Sequence, residues 1–486
     1  MIRASTFAGK RVAVFGLGAS GNATTKSLLA GGADVAAWDD GEASRATAAQ
    51  AGLPIVDLHG ADWSAFAALV LAPGVPLTHP EPHWTVKRAR ASGVEVIGDV
   101  ELFFRERAAR FPNAPVIAIT GTNGKSTTTA LVTHMLQKSG RDAQMGGNIG
   151  VPVLALEPFA EDRIYVLELS SFQIDLTPSL APTVGVLLNL SPDHLDRHGP
   201  ADQPDAAMRA YAGIKERLVM ASEAAAIGVE DEYSRAILER VEDAGRETYP
   251  FTTGKGAAIV PRLYAIGTTL FAHEHHGSHA SSTEIASLDG IGTLRGRHNV
   301  QNALAALAAL RALEGRLDSA SASQLTALKR YATAIRSYPG LPHRMEEVGR
   351  SGRVVFINDS KATNADSTEK ALASWEREIY WILGGKPKEG GIASLAEYFP
   401  RIAKAYLIGA ATEDFAATLD GRVPFVRAST LDAALKLAAA DAAKSNAPEP
   451  VVLLSPACAS YDQFRSFEHR GNVFRDLVRE MTGWKS

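Results

Sequence analysis

The amino-acid sequence predicts an α/β protein of three domains joined by short Pro/Gly hinges. Short apolar runs suited to buried parallel strands alternate with Ala/Leu-rich helical stretches along almost the whole chain. Both periodicities break at Phe111–Pro115 and again at Tyr338–Pro342, where prolines flank asparagine or glycine. At 486 residues the chain exceeds one ordinary domain and gives each of three enough length to bury a core.

In the first block, the strand Arg11–Gly16 runs into a Gly-rich turn and an alanine-rich helix, and a second strand, Asp34–Trp38, ends in Asp39-Asp40. The second block opens with the strand Val116–Thr120, and Ile164–Ser170 and Val184–Leu190 read as further buried strands. The third has strands at Val354–Ile357, Ile379–Leu383, Ala405–Ile408 and Val451–Leu454. Residues 221–290 carry the weakest pattern, and no short-period repeat is present.

Composition excludes several classes. Apolar residues make up 46% and charged residues 21%, ordinary globular usage. A net charge of −4 argues against a general nucleic-acid or anionic-membrane partner. Cys458 stands alone, so no intrachain disulfide forms and a reducing compartment is allowed. No apolar run reaches the ~18 residues a membrane span needs. Lys10 and Arg11 lead straight into a glycine-rich turn rather than a signal peptide, so a cytoplasmic location is expected.

The strongest motif is Thr120-Gly121-Thr122-Asn123-Gly124-Lys125-Ser126-Thr127, between a buried strand and a helix. Glycines let the backbone wrap a phosphate while N–H groups and the helix N-terminus point at it. Lys125 supplies charge to the β/γ-phosphates, and the Ser126 hydroxyl can join a Mg²⁺ shell. The general P-loop has a further glycine, separated from the Gly-Lys pair by four residues. That position here is Ile119, inside the strand, so the loop is a shortened variant.

Gly16-Leu17-Gly18-Ala19-Ser20-Gly21 satisfies the dinucleotide fingerprint, with Asp39 at the distance expected of a ribose partner. Alone it suggests an NAD-dependent oxidoreductase, but a UDP-sugar carries a diphosphate as surely as NAD does. Glu168, in Glu168-Leu169-Ser170-Ser171-Phe172-Gln173, and Asp193-His194-Leu195-Asp196 both follow buried strands, where ligand sites form. A carboxylate and an imidazole beside phosphates suit Mg²⁺ or Mn²⁺, although either alone reads equally well as a solvated strand end. Lys215 has no local signal and reads as a surface helical lysine. The His-rich piece His273–His279 reads as a mobile surface loop with incidental metal affinity.

Asn299 and Asn302, in Gly296-Arg297-His298-Asn299-Val300-Gln301-Asn302, share a helix face. They can meet a purine, with helix capping as the default. Three polar loops follow strands in the last block: Asn358–Asn364, Gly384-Gly385-Lys386-Pro387-Lys388 and Ser455–Tyr461. Together they suggest one shared site. Cys458 has no His partner positioned by sequence and reads as a small buried residue.

Taken together these segments resemble the Mur ligase family: GTNGKST, ELSSFQ, DHLD, GRHNVQNALAA, LPHR and NDSKATN stand in that family's order over essentially the whole chain. NDSKATN, the Gly-Gly…Lys loop, and SPACASYDQF followed by Phe467-Glu468-His469-Arg470-Gly471 are similar to the member that adds D-glutamate to UDP-N-acetylmuramoyl-L-alanine. The Asn-Pro-Arg signature of the diaminopimelate- or lysine-adding relative is not found, and folate polyglutamate synthases lack the first block.

The resemblance implies a Rossmann-like UDP-sugar domain (1–110), a central P-loop ATPase-type parallel sheet (111–340) and a Rossmann-like amino-acid domain (341–486). It implies ATP and two Mg²⁺ ions, with Mn²⁺ as a substitute, in a cytoplasmic monomer. Gly16, Gly18, Ala19, Ser20, Asp39, Asp40, Pro73 and Gly74 would hold the UDP group, and Asn148 would face the muramoyl part. Gly121, Thr122, Asn123, Gly124, Lys125, Ser126 and Thr127 would hold ATP, with Glu168 a metal ligand and His194 serving a second ion. Lys215 matches the family's carbamylated lysine, an anion that can bridge two metals. Asn299, Asn302, Arg344 and Asp359 would contact adenosine and phosphates. Lys361, Thr363, Lys388, Ser460, Tyr461 and Phe467 would surround D-glutamate, with Lys386 the alternative to Lys388. Tyr461 stands where leucine is common in the family. Three rivals remain: the oxidoreductase, a non-enzymatic P-loop binding protein, and a Mur ligase for another amino acid.

Overall fold

The structure is a computed structural model that describes residues 1–200, 202–254, 260–276, 279–317, 321–387 and 390–483. Three sheets follow one another along the chain. The first comprises β1 (Arg11–Phe15), β2 (Asp34–Trp38), β3 (Ala68–Leu71) and β4 (Glu95–Ile97). All pair parallel in the order β2-β1-β3-β4.

The second sheet holds β5 (Val116–Thr120), β6 (Ala143–Gly147), β7 (Ile164–Glu168), β8 (Val184–Leu187) and β9 (Ala224–Gly228). It continues through β10 (Glu247–Thr252), β11 (Leu263–Ile266), β12 (Thr269–His276) and β13 (His279–Ser287). Its order is β13-β12-β11-β10-β9-β8-β5-β7-β6, parallel except for the last two antiparallel steps to β12 and β13. The third sheet has β14 (Glu346–Ser351), β15 (Val354–Asn358), β16 (Ile379–Gly384), β17 (Ile402–Ile408), β18 (Phe425–Ser429) and β19 (Val451–Leu454). It runs β14-β15-β19-β16-β17-β18, with only β14 antiparallel.

Central strands are apolar because helices cover both faces, leaving no side for water. All five residues of β5 (VIAIT) and all six of β16 (IYWILG) are buried, while edge strand β18 is half-exposed. Strand β5 lies between β7 and β8, so the chain leaves it in opposite directions and a crevice opens at its C-terminal end. Strand β1, between β2 and β3, repeats that arrangement.

The described residues form two compact units: Met1–Asp289 with Arg297–Ser337, and Gly290–Gly296 with Tyr338–Ser486. One core runs through both sheets of the first unit, joining Val12, Val14 and Val70 to Val116 and Leu167 through Phe103 and Phe104. The phenylalanines sit on the helix Asp99–Arg110. Glu106 of that helix accepts from the Ser5 hydroxyl and the Thr6 N–H, and Gly98 N–H donates to Leu176. Gly290–Gly296 is fastened in the second unit by Arg295, whose guanidinium grips Glu449 at 2.5 and 2.7 Å.

Several expectations change, among them the strand expected over Val184–Leu190, which stops at Leu187. The described residues of the stretch 221–290, where the sequence pattern is weakest, form β9 to β13 with the helix Glu232–Asp243. The His-rich piece, expected as a loop, lies in strands: His273–His276 end β12 and His279 opens β13, while Gly277 and Ser278 lie outside the described residues. The strand expected to Ser170 stops at Glu168, because Ser170 caps the short helix Ser171–Asp175 in a box with Gln173. Among the described residues no helix is long and apolar enough to cross a membrane.

Candidate active site

The loop after β5 turns tightly into the helix Lys125–Lys138. Gly124 has φ +86, and a Cβ there would lie 2.1 Å from the Asn302 side-chain oxygen, so a larger residue is barred by conformation and by space. The Lys125 ammonium donates to the loop's own Gly121 and Thr122 carbonyls at 2.9 and 2.8 Å. Ser126 and Thr127 occupy the first helical turn. Asn302 is buried, donates to Asn299 Oδ1 at 3.0 Å and accepts from the Thr128 hydroxyl at 3.4 Å. Helix Arg297–Leu317 begins before both asparagines, so capping is not their role.

Lys215, on the helix Pro204–Met220, is 1% exposed. Its Nζ donates to Thr120 Oγ1 and to the Gly121 carbonyl, both at 3.0 Å, and lies over the Tyr211 ring. Burial first, and nearby Lys125 second, hold this amine well below the usual lysine range. Glu168 ends β7. One carboxylate oxygen accepts from Asn148 Nδ2 at 2.8 Å, and the other is buried with no hydrogen-bond partner.

His194 has left-handed φ +48, keeps its ring two-thirds exposed and stands 3.5 Å from Asp193. Arg197 of the same loop donates to the Gly74 and His79 carbonyls, tying the loop to the first sheet's polar edge. Two residues missed from sequence lie beside this group. Tyr211 hydrogen-bonds the Thr122 hydroxyl, and buried His198 hydrogen-bonds Ser171 Oγ at 3.0 Å while stacking on Phe172. Burial, aided by Lys215, pushes His198 down to about 4. Their sequence distance from the P-loop hid them.

Among the described residues no three His, Cys, Asp or Glu side chains group tightly enough to hold a metal by themselves. Mg²⁺ prefers few protein ligands, completing its shell with substrate phosphates and water. The unpartnered Glu168 oxygen near the phosphate loop fits such a site.

At the end of β1, a Cβ on Gly21 would meet the Gly16 carbonyl at 1.7 Å, so the third glycine of the fingerprint lets turn and helix touch. The helix Ala19–Ala30 follows Gly18 at its N-cap. Asp39 shapes the turn rather than pointing freely outward: its carboxylate accepts from Leu17 N–H and Gly41 N–H, each at 2.7 Å. Ser20 Oγ donates to Asp99, a buried carboxyl raised by desolvation that sequence reasoning missed. Asp40 accepts from the Trp84 indole and contacts His83, beside a stacked His59–Trp84 pair.

In the second unit the ends of β15, β19 and β16 are neighbours, so the three polar loops emerge side by side. Asp359 accepts from the Ser455 hydroxyl at 2.8 Å and Met345 N–H, and its own N–H donates to Leu454. Arg470 is buried and clamps two loops, donating to the Ser360 carbonyl and hydroxyl and to the Cys458 carbonyl. Lys361 lies over the Phe467 ring, and the Phe467 carbonyl accepts from Ser360 Oγ. Thr363 N–H donates to the Lys361 carbonyl. Ser460 is buried, whereas Tyr461 is 72% exposed. Lys386 pairs with Ala459 through its backbone, and Lys388 lies outside the described residues. Arg344 belongs to this unit also. Cys458 is buried in its core, as expected of a small apolar residue.

Burial raises Asp359 from 3.8 to about 7. Between those values the folded chain holds a proton that the unfolded chain has lost, so stability falls as pH rises through this window and levels off above it. Asp359→Asn is expected to flatten the thermal unfolding midpoint against pH and to be at least as stable as wild type at pH 8. Parallel Tm–pH curves for the two proteins would refute the assignment.

Comparison with known proteins identifies the architecture. A family model described as the Mur ligase middle domain matches residues 119–310, and one described as Mur ligase, glutamate ligase domain, matches 343–458. The chain belongs to the Mur ligase family. It is 55% identical to a protein of Brucella abortus (strain 2308) named UDP-N-acetylmuramoylalanine–D-glutamate ligase, over 99% of this chain and 98% of that one. A Nitrobacter hamburgensis protein of the same name is also 55% identical, over 99% of both chains. The solved UDP-N-acetylmuramate-alanine ligase of Thermotoga maritima shares the fold, with TM-score 0.55 and 19% identity over 97% of this chain and 99% of that one. A solved UDP-N-acetylmuramoyl-L-alanyl-D-glutamate–2,6-diaminopimelate ligase aligns at TM-score 0.52 and 16% identity, over 100% and 95%.

Proposed function

We propose that this chain is an ATP-dependent carbon–nitrogen ligase that joins D-glutamate to UDP-N-acetylmuramoyl-L-alanine in peptidoglycan precursor synthesis. The observation that carries it is the 55% identity, along nearly the full length, to proteins named for that reaction. The loop after β5, with Lys125, Glu168 and Lys215 around it, supports the ATP half of the reading. In this reading residues 1–110 take the UDP-sugar, 111–340 the nucleotide and 341–486 the amino acid.

The terminal carboxylate of the UDP substrate attacks the γ-phosphorus, ADP leaves, and an acyl phosphate forms. The neutral D-glutamate amine then attacks the acyl carbon and expels phosphate, which carries off the amine's proton, so no enzyme nucleophile is needed. Two like unit charges ~4 Å apart repel by ~4 kcal/mol at an effective dielectric of 20, the obstacle in the first step. Lys125 leaves its loop carbonyls to meet the β/γ-phosphates, and the backbone N–H groups at the helix start receive them. Glu168 and Ser126 would hold Mg²⁺, which when bound neutralises phosphate charge. The Asn148 amide orients Glu168. A carbamylated Lys215 would add a fixed anion behind the loop, and His194 would serve the substrate side. Asn299, Asn302, Arg344 and Asp359 would hold adenosine and phosphates. Gly18, Ala19, Ser20, Asp39, Asp40 and Gly74 would hold the UDP group, and Lys361, Thr363, Lys388, Ser460, Tyr461 and Phe467 the D-glutamate.

The test is phosphate release with ATP, Mg²⁺ and UDP-N-acetylmuramoyl-L-alanine across a panel of D- and L-amino acids. Release only with D-glutamate is expected, and Phe467→Ala should raise KM for D-glutamate about tenfold or more with KM for ATP little changed. Release with a different amino acid would keep the ligase and overturn the acceptor. No release with any would overturn the proposal.

A further inference from the structure

The shortened phosphate loop is braced by residues outside it. Asn189 follows β8, the sheet neighbour of β5. Its backbone carbonyl accepts from Thr122 N–H at 2.9 Å. Its side-chain amide then pairs with Asn123 as a neighbouring strand would: Oδ1 accepts from Asn123 N–H at 2.9 Å, and Nδ2 donates to the Asn123 carbonyl at 3.2 Å. The second Nδ2 hydrogen goes to Gln301 Oε1 at 3.1 Å. Gln301 Nε2 donates to the Leu188 carbonyl at 3.3 Å and to Glu230 Oε2 at 3.0 Å. Glu230 follows β9, and its other oxygen accepts from Thr253 N–H at 2.7 Å.

This chain has a direction. An ionised carboxylate only accepts, so Glu230 fixes which end of the Gln301 amide faces it. Gln301 then presents its oxygen to Asn189, which fixes the Asn189 amide and leaves its oxygen for Asn123 N–H. Both N–H bonds of each amide are used, so turning either one would oppose donor to donor and acceptor to acceptor. The row crosses the C-terminal ends of the adjacent strands β5, β8 and β9.

We propose that Asn189, Gln301 and Glu230 are positioning residues for ATP: a directed row of hydrogen bonds that holds the tip of the shortened loop in its phosphate-receiving shape. The Asn123 N–H is committed to Asn189, so the phosphates are received by the N–H groups from Gly124 onward and by Lys125. This rests on the ATP-binding reading of the loop.

The test is titration of a non-hydrolysable ATP analogue with Mg²⁺ into the whole protein, beside a separate titration of UDP-N-acetylmuramoyl-L-alanine, with thermal unfolding to verify folding. Asn189→Leu should bind the analogue about tenfold more weakly, the effect of losing two ordinary hydrogen bonds. Gln301→Met, whose wild-type amide bonds Asn189, Leu188 and Glu230, should weaken it by about threefold. Both should bind the UDP substrate within about twofold of wild type. Unchanged analogue binding by folded Asn189→Leu would overturn the inference, as would equal weakening of both ligands, which marks a merely structural residue. A wild-type protein that binds no analogue would remove the ATP reading itself, and the inference with it.

Discussion

Replacing Lys215 by alanine or arginine is expected to lower kcat about 10²–10³-fold, the scale of losing one preorganised electrostatic group at a phosphoryl-transfer site. The physical reason lies in its burial. A lysine with 1% exposure and a second lysine nearby is a poor place for an ammonium, even with two oxygen acceptors at 3.0 Å. Its depressed value leaves more neutral amine at a given pH than a surface lysine has, and only the neutral amine adds CO₂. The amine nitrogen bonds to the carbon of CO₂, a proton leaves, and a carbamate anion results. Arginine keeps length and charge but forms no carbamate. Wild-type activity should therefore fall when CO₂ is stripped and return with bicarbonate, whereas the Lys215→Arg residue of activity should not respond.

Stability separates this from misfolding. The unfolded chain binds a proton that the folded lysine refuses, so burying the amine costs stability below the ordinary lysine value of ~10.4, and that cost shrinks as pH rises. Lys215→Met should keep or raise Tm at neutral pH while losing activity. A Lys215→Arg enzyme with near wild-type kcat, or indifference of wild type to CO₂, would sink the role.

Sequence made the strands, and the loops at their ends, readable for one reason. A strand covered on both faces must be apolar throughout, and polar glycine-rich residues after it then stand out, as in VIAIT before GTNGKST. The same reasoning gave no reading at β9, AAAIG, which lies in the stretch of weakest pattern. Alanine has weak strand preference, and burial between β8 and β10 overrides it. It failed wherever function rests on a partner far along the chain. Lys215 touches Thr120 across 95 positions, Ser20 touches Asp99 across 79, and Asn189 meets Gln301 across 112. Helical spacing can place a lysine on a face, but cannot say that the face is turned into the sheet beneath a phosphate loop. The segment Gly290–Gly296 was illegible for the same reason, since Arg295 finds Glu449 154 positions away.

Glu168→Gln should lower kcat about 10²-fold and raise the Mg²⁺ concentration for half-maximal activity by about 10–100-fold, with partial recovery at high Mg²⁺. The geometry explains why this small change matters. Asn148 donates to one oxygen at 2.8 Å, which orients the carboxylate, and the other oxygen is buried without a hydrogen-bond donor. A buried acceptor without a donor is a standing cost of about 1–3 kcal/mol, which a cation at that point would relieve. Glutamine preserves size and the Asn148 contact but removes the charge and can present an N–H where the cation belongs. Tm measured without Mg²⁺ should change little, because a neutral amide left unpaired there costs no more than the charged oxygen it replaces. Asn148→Ala, which frees the carboxylate to turn, should shift the Mg²⁺ requirement in the same direction by a smaller factor. If Glu168 only braced the strand end, Glu168→Gln would leave the Mg²⁺ titration unmoved, and that result would remove it from the metal site.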